Sequence, residues 1–357
     1  MSSEMGANPD GEHLPMSTQS SLPLPISFQA ADGYTLHGML WRHEGRDPDR
    51  NLVILNAATS VASRYYGRYA AYLFQHGMDV MTYDYRGIGL SRKGSLRQLD
   101  AGWTTWGEQD FEAAIRYAFT SRPYQPIDVV AHSVGGFVTG LAASNHRLRR
   151  VCTVGAQIAY WRDFAPRDRL RMLAKWQVVM PALTRLLGYF PGKALGWLED
   201  TPRGVVHEWT THMRRLESQL RRGVPPERIA ARQALVERCE NLSAPILAVS
   251  VTDDDFGTVA AIERLLAYFR NSRATHLRIS PESIGEPHIG HFAFFHSRYE
   301  KTLWPVSLNW LRTGCLAPGT PGVVVAAGRR NDGMPPARAA GGSPGGLLGA
   351  AEPPGQP

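Results

Sequence analysis

Apolar residues through the middle of the chain recur in two rhythms, one of period two or unbroken and one helical. Residues 25–42 alternate apolar and polar positions around Ala31-Asp32-Gly33, which predicts a β-hairpin. Leu52-Val53-Ile54-Leu55 is an unbroken apolar run, as in a strand buried on both faces of a parallel sheet. A helical stretch from about Tyr65 to Gly77 follows, then a strand over residues 79–84, a helix over 106–119 and a strand at Ile127–Val130. Further strands are expected at residues 150–154, 246–251 and 276–279, and a helix over 259–270. A last helix is expected to start near Phe292 or shortly after it and run toward Trp310. Repeated strand–helix units with apolar strands predict an α/β fold with a mostly parallel sheet and helices on both faces.

The rhythm breaks between Gly155 and Leu242, where helical, aromatic-rich stretches (Tyr160, Trp161, Phe164, Trp176, Trp197 and Trp209 among them) alternate with turn signals. Residues 155–242 therefore read as a helical cap inserted between the two halves of a core at 25–154 and 243–314. Residues 1–24 and the Gly/Ala/Pro-rich stretch 315–357 have no periodicity and too little apolar content to fold, so they read as a disordered leader and tail.

Composition narrows the class. The formal net charge of +7 is spread along the chain and comes almost entirely from arginine, without a zinc-finger, RNP or helix-turn-helix pattern, so specific nucleic-acid binding is not expected. Three cysteines, at 152, 239 and 315, are too few and too irregular for a disulfide scaffold or a zinc site. The N-terminus lacks the pattern of a signal peptide, and no apolar stretch is long enough for a membrane span. A cytoplasmic protein without metal or cofactor is the resulting expectation.

The segment Asp128-Val-Val-Ala-His-Ser133-Val-Gly-Gly136 reads as a strand, a sharp turn with a serine at its apex, and a helix. Small residues at 131 and 135 let such a turn close, and Gly136 lets the helix lie close to the strand. This is the layout of a nucleophile elbow, G-x-S-x-G, with Ala131 at the first glycine position. A serine nucleophile needs a base to take its proton and an anion to orient that base. Asp253, Asp254 and Asp255 follow the strand at 246–251, and His288 and His291 follow the strand at 276–279. An oxyanion would be met by the Val134 N–H at the helix start and by a second backbone donor from the loop after residues 52–55.

With the elbow serine, then an aspartate, then a histidine in chain order, residues 27–314 resemble the α/β-hydrolase superfamily. Asp84-Tyr-Arg-Gly-Ile-Gly-Leu-Ser91 matches a structural turn found in many members. Trp106-Gly-x-x-Asp110, Gly188-Tyr-Phe-Pro-Gly192, His207-Glu-Trp209 and Ile289-Gly-His-Phe-x-Phe-Phe295 resemble bacterial predicted hydrolases of serine-aminopeptidase-like type. The resemblance implies Asp254 as the acid, in the pattern running from Pro245, and His291 as the base, with His288 in reserve. It also implies Ala58, with Ala57 as the alternative, as the second oxyanion donor. Asn56-Ala57 stands where members often have His-Gly.

Ser133, His291 and Asp254 would then make the protein a serine hydrolase of small-molecule esters or related acyl compounds. An acyltransferase or thioesterase with the same residues, or a non-catalytic binding protein on this fold, would share most of these features. An aminopeptidase would need an acidic anchor for the substrate amine, for which Glu199, Asp200 and Glu208 are available.

Overall fold

The unbroken apolar strands pair with one another, and the amphipathic ones flank them. In the computed structural model, which describes residues 22–45, 47–211, 215–221 and 225–326, the hairpin consists of β1 (Leu24–Gln29) and β2 (Thr35–Trp41). Phe28 faces Leu36 across it. Then come β3 (Leu52–Asn56), β4 (Asp79–Tyr83), β5 (Ile127–His132) and β6 (Leu148–Val154). After β6 the chain leaves the sheet, and within that excursion β7 (Tyr189–Phe190) and β8 (Thr201–Pro202) form a small ribbon. It returns as β9 (Ile246–Val251) and β10 (Ala274–Ile279), and ends in β11 (Val323–Val324).

The sheet order is β1-β2-β4-β3-β5-β6-β9-β10-β11. Pairing is parallel from β4 to β10 and antiparallel at the two margins. Every residue of β3, β4, β5 and β9 is buried. These runs carry no polar face because helices cover both sides of the sheet.

Two boundaries differ from expectation. The stretch after 314, expected to be unstructured, adds β11 to the β10 edge, where the Val325 N–H also donates to His276 O (2.8 Å). Val323 and Val324, exposed and preceded by Pro321-Gly322, show no alternation, so the pairing comes from the open edge of β10 and not from local pattern. The last helix begins at Trp304, not near Phe292, and runs to Thr313. Residues 293–295 and 297–299 form single 3₁₀ turns instead. Residues 1–21 of the expected leader and 327–357 of the expected tail lie outside the described residues.

Between β6 and β9 the chain is largely helical. Arg169–Leu173 runs through a π-helical turn (Ala174–Val179) into Met180–Leu187, and helices Arg203–Thr210, Leu216–Arg221 and Pro226–Asn241 follow the ribbon. Asn145, just past the elbow helix, donates through Nδ2 to Arg238 O (2.9 Å) and so ties the end of this insertion to the core. Among the described residues no helix is long and apolar enough to cross a membrane.

The segment Asp84–Ser91 is a structural corner. Asp84 accepts the backbone N–H groups of Ser63 (2.6 Å) and Leu90 (2.8 Å), and Ser91 Oγ accepts that of His37 (2.8 Å). Arg86, 4 % exposed, donates through Nε to the fully buried Asp110 (2.7 Å) and through Nη1 to Asp32 in the hairpin turn (2.5 Å). One buried guanidinium thus joins the hairpin, the corner and the helix that carries Asp110. Arg86→Leu strands the Asp110 carboxylate in the core and should lower the unfolding free energy by about 3–5 kcal/mol in urea titrations. Arg116→Ala, which removes the exposed arginine of the Arg116–Glu112 pair (2.8 Å) while Ser144 still donates to the buried Glu112 carboxylate, should cost less, about 1 kcal/mol.

Candidate active site

Ser133 stands between β5 and the helix Val134–Leu141 with φ 54° and ψ −123°, a backbone conformation that non-glycine residues rarely adopt. It is held there by its N–H, which donates to Val154 O on β6 (2.9 Å), and by its carbonyl, which accepts Gly136 N–H (3.1 Å). The small residues around it are required by contact. A Cβ on Gly135 would lie 2.5 Å from Asn56 O, and one on Gly136 would lie 2.5 Å from Ala156 Cβ. Ala131 is buried within β5, with Asn56 and Thr153 as its register partners.

His291 and Asp254 meet this serine from the loops after β10 and β9. His291 Nε2 lies 2.9 Å from Ser133 Oγ, and His291 Nδ1 lies 2.7 Å from Asp254 Oδ2. The carboxylate requires the proton on Nδ1, which leaves Nε2 as the acceptor of the serine hydroxyl. Asp254 is buried, and its other oxygen accepts the N–H groups of Phe256 (2.8 Å) and Gly257 (2.9 Å). Burial pushes its pKa up, but the charge and hydrogen bond of His291 and these two amides outweigh burial and hold it below the ordinary carboxylate value. Gly155 and Gly257 close over the pair; a Cβ on either would press on Asp254 Oδ2, at 2.9 Å from Gly155.

Asp253 does more than flank a turn. Its carboxylate accepts the N–H groups of Ile289 (2.8 Å) and Gly290 (3.0 Å) and pairs with His288 Nδ1 (2.5 Å), which fixes the loop carrying His291. His288 is exposed and turned to Asp253, away from the serine. The carbonyls of this loop are held from outside it. His288 O accepts Tyr299 Oη (2.5 Å), His291 O accepts His132 Nε2 (2.9 Å), Phe292 O accepts Tyr65 Oη (2.7 Å) and Phe294 O accepts Trp304 Nε1 (2.8 Å). Side chains take the carbonyls that a helix would have used, which is why no helix starts at Phe292.

The loop after β3 differs from expectation at Ala58. Its N–H donates to Tyr66 Oη (2.9 Å), so it meets an oxyanion only by sharing that hydrogen. Tyr66 Oη in turn lies 2.8 Å from His132 Nδ1. Because His132 Nε2 faces a carbonyl, the imidazole proton sits on Nε2 and Nδ1 accepts from Tyr66. Ala58, Tyr66, His132 and the His291 carbonyl thus form one directed hydrogen-bond chain. Tyr66 has no signal in the sequence and His132 only its place beside the elbow serine as a structural neighbour, since only the fold brings them between the two loops. Asn56, in place of histidine, donates to Thr139 Oγ1 (3.0 Å) and accepts from Tyr83 Oη (2.8 Å), tying β3 and β4 to the elbow helix. Val134 opens that helix, where a backbone N–H has no acceptor within the helix.

Ser133 and His291 open onto a cavity of about 260 Å³ beneath the insertion. Trp176, Trp197 and Trp209 of the insertion line it, with Trp103 and Phe256 of the core. Trp176 stacks on Trp209 at 4.6 Å between centroids and meets Trp197 edge-on at 5.8 Å. The other insertion aromatics do not line it; Phe164 packs on Phe256, and Phe190 on Trp197. Among the described residues no group of three His, Cys, Asp or Glu side chains is placed to hold a metal ion.

Full burial, and to a lesser degree the nearby His291, push the pKa of His132 down to about 3, from the ordinary 6.5. A depressed imidazole pKa means that the unfolded chain binds a proton the native state refuses, so stability falls as pH drops below the unfolded value. Urea unfolding between about pH 6.5 and pH 4.5 should show this loss at up to about 1.4 kcal/mol per pH unit, and a shallower slope in His132→Gln. Equal slopes in the two proteins would mean that His132 takes up a proton in the native state.

The serine aminopeptidase, S33 family model matches residues 46–282, well over half of the chain. No curated protein matches it. Among solved structures, the chain is similar to a soluble variant of Saccharomyces cerevisiae monoglyceride lipase in complex with a substrate analog. That match has a TM-score of 0.57 at 14% identity, over 83% of this chain and 96% of that one. It is also similar to DcsB in complex with its substrate analogue (TM-score 0.51, 16% identity, 82% and 98% covered). The Pyrococcus furiosus esterase Pf2001 matches with a TM-score of 0.50 at 14% identity, over 82% and 92%. At these identities the structures speak for the fold, and together with the family match they make this chain a member of the serine aminopeptidase S33 family of α/β hydrolases, a family of hydrolytic enzymes.

Proposed function

We propose that the protein is a serine hydrolase that cleaves an ester or related acyl bond through an acyl-enzyme. The observation that carries this reading is the hydrogen-bonded series Ser133–His291–Asp254 at the floor of a cavity lined by indoles. Ser133 Oγ attacks the substrate carbonyl carbon as His291 Nε2 takes the hydroxyl proton. Asp254 keeps the other ring proton on Nδ1 and stabilises the imidazolium that forms. His291 then returns the proton to the leaving oxygen, and water, activated by the same nitrogen, releases the acyl group.

The Val134 N–H, at the positive end of its helix, is the first donor to the tetrahedral oxyanion. Ala58 serves as the second by sharing the N–H that now bonds Tyr66. Residues 155–242 act as a cap whose tryptophans receive the apolar part of the substrate.

An ester is favoured over a peptide N-terminus by the state of the acidic residues. Glu199 is paired with Arg64 (2.6 Å) and Lys193 (2.7 Å), and Asp200 with Arg92 (2.8 Å). Glu208 accepts Thr104 Oγ1 (2.6 Å) and N–H (3.0 Å). None of the three lines the cavity. Asp255 does, and it is paired with Arg167 (2.6 Å).

A fluorophosphonate probe should label the wild type and not Ser133→Ala, read by intact-mass spectrometry. With p-nitrophenyl butyrate, Asp254→Asn should lower kcat by about ten-thousand-fold, as the loss of the orienting anion does in other serine triads. Labelling that persists in Ser133→Ala would assign the nucleophile elsewhere.

A further inference from the structure

Lys175 stands out among the groups lining the cavity. It lies on the π-helical turn of the insertion, with Nζ 3.9 Å from the ring centroid of Trp197 and 4.6 Å from that of Trp176. Among the described residues no carboxylate lies within ion-pair distance of this ammonium. Arg171, one helical turn earlier, adds a second positive charge to the same lining, and Asp255 is committed to Arg167. The ammonium is partly desolvated by the indoles, which together with Arg171 lowers its pKa from the ordinary lysine value. Two aromatic faces offset part of the desolvation but do not neutralise the charge.

We propose that Lys175 recognises an anionic group on the substrate, remote from the scissile carbonyl, so that the enzyme selects acyl compounds bearing a carboxylate or similar anion. The indoles that hold the lysine would cover the methylene chain between the two ends, and the ammonium would pair with the anion at its terminus. The same charge disfavours a substrate carrying a free ammonium. The proposal rests on the serine-hydrolase reading for its catalytic part only, because the anion site itself is a matter of binding.

The kinetic test compares kcat/KM for the mono-p-nitrophenyl esters of adipate and suberate with the uncharged hexanoate and octanoate esters and the ω-amino esters of the same lengths. A charge-assisted contact in a partly desolvated site should favour the anionic ester by about tenfold to hundredfold over the neutral one. In Lys175→Met that ratio should fall toward one, and in Lys175→Glu the order should move toward the ω-amino ester. A wild-type ratio at or below one, or a ratio that Lys175→Met leaves unchanged, overturns the proposal.

The binding test uses Ser133→Ala and follows tryptophan fluorescence on titration with suberate monoamide. Binding should be about tenfold or more weaker in Ser133→Ala/Lys175→Met. Lysine-dependent binding in a protein that neither turns over esters nor reacts with the fluorophosphonate would support the anion site while refuting the hydrolase. Turnover without a lysine-dependent preference would do the reverse.

Discussion

A non-glycine residue at φ 54° and ψ −123° costs of order 1–3 kcal/mol, and Ser133 is kept there by both of its neighbours. β5, buried along its whole length between β3 and β6, fixes the backbone entering the turn, and the Val154 carbonyl holds the serine N–H. On the far side, Gly135 and Gly136 bring the helix close to β3 and to Ala156. The strain lifts Oγ out of the strand and toward the loops after β9 and β10, while the Val134 N–H comes to the start of a helix. Relaxing this turn would displace the Ser133 hydroxyl and the Val134 N–H together, so the packing around it holds the proposed nucleophile and oxyanion donor in one arrangement.

The partners of that serine sit on loops, and side-chain hydrogen bonds to the loop backbone hold them in place. Asp253 takes two N–H groups of the 288–294 segment, and His132, Tyr65, Tyr299 and Trp304 take its carbonyls. Asp254 is fixed by two amides of its own turn and hemmed in by Gly155 and Gly257. A loop with two N–H groups and four carbonyls held by side chains from outside it has little freedom to move, which is the pre-organisation that the proposed proton transfer over 2.9 Å requires. The chain from Ala58 through Tyr66 and His132 extends the same principle, linking the loop after β3 to the backbone of His291.

The sheet is legible because strands covered on both faces are mostly apolar, and β3, β4, β5 and β9 are buried at every position, with their polar residues mainly at the strand ends. The elbow was legible because only small residues survive beside a strained serine, and the order of the elbow serine, Asp254 and His291 follows from strand ends that share one edge of a parallel sheet. The helix expected at Phe292 failed because local apolar spacing says nothing about side chains elsewhere that claim carbonyls. β11 carries no sequence signal because its two valines acquire strand geometry only from the open edge of β10.

Local composition thus dictated where buried strands lie, where the backbone had to turn sharply, and which residue types could serve as nucleophile, base and acid. Tertiary structure chose among them. It turned His291 to Ser133 and His288 to Asp253, because one carboxylate sits at the sheet edge and its neighbour faces the loop. It engaged the Ala58 N–H with a tyrosine hydroxyl, and it gathered four tryptophans and a lysine around the cavity onto which the serine opens. Such choices depend on distances between residues far apart in the chain, where hydrogen-bond geometry and burial, not sequence spacing, decide which groups meet.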